Sequence, residues 1–156
     1  MRTGALRSAA WGTIVAAILM LGPTLNSSAQ ERRAINVESA GTQNLPFSNG
    51  ILVGNTLYVA GTEGTGEDGK LKEGIGPQTQ AALDTIAKVL EKAGFQMKDI
   101  VSVTVFLADI HEFQDMNKVY RSVMPDPKPA RATVQVAGLV NDARIEISAI
   151  AVKTKR

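Results

Sequence analysis

The sequence predicts one α+β domain, a mixed sheet of about six strands with two helices on one face. Three observations lead there. Short apolar runs with period-two alternation flank two segments of helical periodicity, and the order is strand, strand, strand, helix, strand, helix, strand, strand. One strand pattern, residues 100–107, is apolar or β-branched at nearly every position, as in strands buried on both faces. Gly and Pro punctuate the boundaries between these runs.

The front of the chain stands apart. Arg2 and Arg7 precede an apolar run over about 9–21, which meets Gly22, Pro23 and the small residues Ser27, Ser28 and Ala29. This is the pattern of a secretory signal peptide over 1–29, with cleavage expected after Ala29 and a secreted or periplasmic product. The run is short for about 30 Å of hydrocarbon and Gly12 and Thr13 interrupt it, so no stable membrane anchor is expected after cleavage. The chain has no cysteine, which excludes disulfides and a lipid anchor on a processed cysteine.

Losing the leader removes two of the 17 Lys and Arg, leaving the remainder balanced against 15 Asp and Glu. The basic character of the whole chain therefore belongs to its first residues. No basic stripe with interleaved aromatics remains, so a nucleic-acid partner is not expected. Residues 30–45 read as a polar, flexible lead with a short strand near 43–46, and 46–156 as the folded domain.

Within that domain, runs at about 49–53 and 56–60 are joined by Gly54 and Asn55, a hairpin signal. The glycine-rich stretch 61–69 lacks the Gly-Lys-Ser/Thr ending of a phosphate loop and reads as a flexible surface loop. Its Glu67 and Asp68, with Glu73, offer at most a weak cation site, without the spacing of a calcium hand. Ala82, Leu83, Ile86, Val89, Leu90 and Ala93 recur at helical spacing, predicting a helix over about 77–93 that Gly94 ends. After the strand at 100–107, Asp109 and Glu112 form a capping-box pattern for a second helix over about 110–123, with Phe113, Met116, Tyr120 and Val123 inward. His111, the single histidine, has no second histidine or cysteine beside it and reads as a surface residue.

Residues 129–152, PARATVQVAGLVNDARIEISAIAV, carry the chemistry. Ala132, Val134 and Val136 alternate with Arg131, Thr133 and Gln135, predicting a strand that buries its even-numbered face. In the last strand Ile145, Ile147, Ala149 and Ala151 share one face, and Glu146 lies on the other. An exposed or cross-strand pair of charges explains Arg131 and Glu146. So does a small anion site, in which a guanidinium fork holds a carboxylate and a glutamate handles a water beside it. Periodicity does not choose between these. Asn117, one turn from Phe113, fits either a buried hydrogen-bonding role or an exposed helix position.

The same residues resemble the RidA/YjgF family of reactive intermediate deaminases over roughly 46–153. The carriers are 46–50, 54–61, GFQMKDIVSVTVFL at 94–107, FQDMNKVY at 113–120 and, above all, the segment at 129–152. The resemblance implies a chorismate-mutase-like fold, assembled as a homotrimer with pockets between subunits. It implies hydrolysis of small enamines or imines of amino acids, of the 2-aminoacrylate type, to 2-oxo acids and ammonia with no metal or organic cofactor. Arg131 corresponds to the arginine that grips the substrate carboxylate, Glu146 to the glutamate that positions water, and Asn117 to a pocket asparagine. Phe47 stands where the family commonly has tyrosine, Ala60 where it has serine, and Thr133 where it often has cysteine. With two hydroxyls missing, a non-catalytic module that binds a small carboxylate or keto acid is the alternative. A ribonuclease or chaperone role finds no support in the charge or in any motif.

Overall fold

The computed structural model describes residues 30–38 and 45–154. The leader expected over 1–29 lies outside the described residues, as do residues 43 and 44 of the short strand expected near 43–46, and Leu45 and Pro46 are not in a strand. Eight elements follow in order: β1 (Arg32–Ile35), β2 (Gly50–Val53), β3 (Thr56–Glu63), α1 (Ile75–Lys92), β4 (Ile100–Leu107), α2 (Phe113–Val123), β5 (Ala130–Gln135) and β6 (Ile145–Val152). The first strand thus falls inside the stretch read as a flexible lead. Its sequence, RRAI, has too few apolar residues to signal a strand, and pairing with β2 forms it. Asn36 and Asn49 fasten its end: the Asn49 amide donates to Asn36 Oδ1 at 3.1 Å, and the Val37 amide to Asn49 Oδ1 at 3.0 Å.

The strands form one sheet in the order β1-β2-β3-β6-β4-β5, antiparallel except for the parallel pair β4 and β5. A parallel pair needs a crossover, and α2 supplies it, while α1 carries the chain from β3 across β6 to β4. Leu83, Ile86 and Leu90 of α1 and Met116 of α2 are fully buried with Leu57, Val103, Val105, Ile145 and Ile147 of the sheet in one core. Removing a side chain such as Leu83 from this core would cost about 2–5 kcal/mol. The Gly94 stop forms as expected. Its φ is 80°, its amide donates to the Glu91 carbonyl at 2.8 Å, and that of Phe95 donates to Leu90 at 2.7 Å, a Schellman closure.

The hairpin is also present, with Gly54 at φ 57°, and Asn55 clips the end of β6 through its side chain to the Lys153 carbonyl at 2.9 Å. At Asp109 and Glu112 the structure differs from the expected capping box. A 3₁₀ turn, Ile110–Glu112, precedes α2, and Asp109 accepts from the His111 amide at 2.9 Å. Glu112 turns away to Arg144, accepting from its Nε at 2.9 Å, because a guanidinium competes better for a carboxylate than one amide does.

Two strand expectations are also revised. In β5 the even-numbered face is the exposed one, whereas Arg131 and Thr133 are half-buried on the helix side. In β4 burial is one-sided, with Val103, Val105 and Leu107 buried and Ser102, Thr104 and Phe106 only half-buried. Both differences have one cause: among the described residues nothing covers the apolar second face of the sheet. Tyr58 and Val134 are 50% and 46% exposed there, beside Phe106 and Ile150. Among the described residues no helix is long and apolar enough to cross a membrane.

Candidate active site

Glu146 sits second in β6, where alternation buries Ile145 and Ile147 under the helices and turns Glu146 to the open face beside Phe106. Space for its carboxylate comes from Gly61: a Cβ there would stand 1.8 Å from Glu146 Oε1. A bulge in β3 between Val59 and Thr62 shifts the register so that Glu63 lies directly opposite Glu146. Asn141 donates from Nδ2 to Glu63 Oε2 at 3.1 Å. These groups line a cleft of about 380 Å³ with Phe47 and Val140. Burial, and then the charge of Glu63, push the Glu146 carboxyl above the ordinary carboxylate range.

Arg131 belongs to the other face. Its register partner in β4 is Val103, which is buried under the helices, whereas the partner of Glu146 is Phe106. The guanidinium lies over the rings of Tyr120 and Phe113, with centroids 4.4 and 5.6 Å away, and no carboxylate among the described residues pairs with it. Stacked so, the fork keeps its N–H edge for a planar anion. The Arg131–Glu146 cross-strand ion pair left open by the sequence does not form.

Thr133, two residues on, keeps a buried Oγ1 with no hydrogen-bond partner, and the buried Tyr120 hydroxyl also lacks one. Burial raises the Tyr120 pKa. Arg131 opposes this by its charge and by an approach to the hydroxyl that falls short of a formed hydrogen bond. Asn117 is half-buried on α2 between the turns that carry Phe113 and Tyr120. Arg131, Thr133 and Asn117 therefore gather on the helix side, whereas Glu146 and Phe47 line the cleft and Ala60 is not among the residues that line it. Phe47 is 53% exposed at the cleft, and Ala60, half-buried, follows Val59 of the core and donates its amide to the Asn49 carbonyl at 2.9 Å.

Sequence reasoning missed Glu63 and Asn141. Glu63 lies in the stretch read as a surface loop and Asn141 between the two C-terminal strand patterns, and the available signal for Glu63 was the strand pattern of 56–60, which runs on through a bulge to residue 63. Much of the glycine-rich stretch is ordered rather than flexible: Gly61 to Glu63 complete β3, and Thr65 bridges Leu71. Glu67 pairs with Lys88 at 3.0 Å, and among the described residues no group of three or more candidate ligands could hold a metal. His111 is exposed.

The six-stranded mixed sheet with two helices on one face defines a chorismate-mutase-like α+β class, and it carries a cleft at Glu146 and a stacked arginine beside α2. The chain belongs to the RidA/YjgF family: the family model described as Endoribonuclease L-PSP matches residues 38–153. It is 42% identical to a RutC family protein of Pyrococcus horikoshii over 112 residues, covering 69% of this chain and 87% of that one. Human 2-iminobutanoate/2-iminopropanoate deaminase is 36% identical over 124 residues, covering 78% and 90%. The crystal structure of RidA from the Antarctic bacterium Psychrobacter superposes with a TM-score of 0.74 at 32% identity, covering 78% of this chain and 99% of that one.

Proposed function

We propose that this chain is an exported deaminase that hydrolyses small imines or enamines of amino acids to 2-oxo acids and ammonia. The opposite placement of Arg131 and Glu146 carries the reading of the site: each is built for its part, yet one chain does not join them. Copies packed on the open apolar face, as a homotrimer, would join the Arg131 of one to the Glu146 of the next and cover Tyr58 and Val134. The deaminase name of the human relative supports the reaction class, and the leader pattern at 1–29 supports export.

The chemistry asks little of the protein. The imine carbon is already electrophilic, so orientation of the substrate and of one water removes several kcal/mol of barrier. Arg131 takes the substrate carboxylate in its fork, with Asn117 and Thr133 alongside. Glu146 accepts a proton as water adds to the carbon. That proton passes to nitrogen to give the carbinolamine, Glu146 then relays the hydroxyl proton to the same nitrogen, and the C–N bond breaks as the carbonyl forms, leaving a 2-oxo acid and ammonia.

Ammonia and 2-oxo acid release from freshly generated amino-acid imines tests this, with Arg131→Ala as control. Release that is unchanged in Arg131→Ala would sink it. Phe47, which brings no hydroxyl to the cleft, and Ala60, which stands where the family commonly has serine, favour a second reading, a module that binds a small carboxylate without turnover. Tight 2-oxo acid binding with no hydrolysis of any imine would establish that one.

A further inference from the structure

We propose that Glu63 is a positioning residue of this site, the cross-strand partner of Glu146 whose charge governs how readily Glu146 takes a proton from water. The proposal rests on the reading of Glu146 as the water-activating group, and it deepens that reading. The register places the two residues opposite each other on the open face, and both line the same cleft. Directly opposed like charges on one sheet face repel.

Glu63 is not there by default. The bulge before it re-aims the end of β3, and Asn141 holds it through the 3.1 Å bond to Oε2. Asn141 and Asp142 both occupy the left-handed region, at φ 56° and 58°. Two consecutive non-glycine residues there are uncommon, and such backbone is retained where surrounding structure demands it.

Among the described residues, no charged group other than Glu63 faces Glu146 across the cleft. Phe106 faces it from β4, Phe47 from the segment before β2, Gly61 and Glu63 from β3, and Ser148 follows on its own face of β6. Arg144, just ahead of β6, is drawn away to Glu112, with Nε at 2.9 Å. Among the described residues lining the cleft, Glu63 is thus the one other titratable side chain, and in the proposed assembly the neighbour's Arg131 opposes it. A base that binds its proton more firmly than an isolated glutamate works better near neutral pH.

The test is a carbon-detected titration of the glutamate carboxyls in the protein purified after expression of the whole sequence. Glu146→Gln assigns the resonance, and kcat/KM for an amino-acid imine is followed over the same pH range. In Glu63→Gln the Glu146 midpoint and the acid limb of kcat/KM both move to lower pH, and the plateau falls roughly two- to fivefold. In Asn141→Asp, which adds a carboxylate, both move upward. A midpoint unmoved in both variants overturns the proposal. A wild type that hydrolyses no imine while its midpoint still responds to Glu63→Gln overturns the catalytic reading and supports the coupling alone.

Discussion

Arg131 of β5 and Glu146 of β6 project from opposite faces of one sheet, Arg131 in register with the buried Val103 and Glu146 with the half-buried Phe106. In the proposed site the two come from different copies of the chain.

Arg131→Ala and Glu146→Gln are each expected to abolish imine hydrolysis, and mixtures of the two to regain it. A random mixture in a closed ring leaves roughly a quarter of interfaces with both native residues, so about that share of activity should return. Ammonia release from co-expressed, co-purified variants measures it. No recovery in correctly assembled mixtures would place both groups within one chain's site.

Assembly itself is expected to depend on the exposed apolar face. Val134→Glu places a charge beside Phe106 where a neighbour would seat, and should yield monomers of retained secondary structure and lost activity. Light scattering with circular dichroism reads both; a variant that stays oligomeric would move the interface elsewhere.

Arg131→Lys keeps the charge and loses the fork and the stacking on Tyr120 and Phe113. At about 1.5–3 kcal/mol for a charged hydrogen bond, kcat/KM should fall roughly 10- to 100-fold, mainly through KM. Steady-state kinetics on one imine decides it.

Gly61→Ala should separate function from stability. The added Cβ would stand 1.8 Å from Glu146 Oε1, and the flexible end of that side chain can move aside, so thermal stability changes little. The displaced carboxylate should lower kcat by roughly 100-fold. Paired melting curves and turnover rates check this.

Glu146→Gln is expected to stabilise the fold at neutral pH. The folded-state pKa of Glu146 is raised, so its contribution is favourable below the ordinary carboxylate pKa and is lost as pH rises through the folded value. A neutral glutamine avoids the cost of an ionised, half-buried carboxylate, so Tm should rise at pH 7, with the gain disappearing in acid. Melting temperatures across the pH range test the sign.

Much of this was legible in the residues. The helical spacing of Ala82, Leu83, Ile86, Val89 and Leu90, the stop at Gly94, and the alternation of Ile145, Ile147, Ala149 and Ala151 are local signals, and local hydrogen bonding and one-sided burial realise each of them. Arg131 and Glu146 stood out because charge within apolar strands is uncommon. β1 was not legible, because RRAI becomes a strand only when β2 offers its edge.

Which face of β5 is buried, and which carboxylate meets Glu146, were decided by tertiary structure alone. Alternation sorts side chains into two sets but is symmetric with respect to which set faces inward, so the crossover through α2 put Arg131, not Val134, beneath the helices. Glu63 reaches Glu146 through a bulge and a register between strands more than 80 residues apart in sequence, and no local pattern encodes a pairing at that distance.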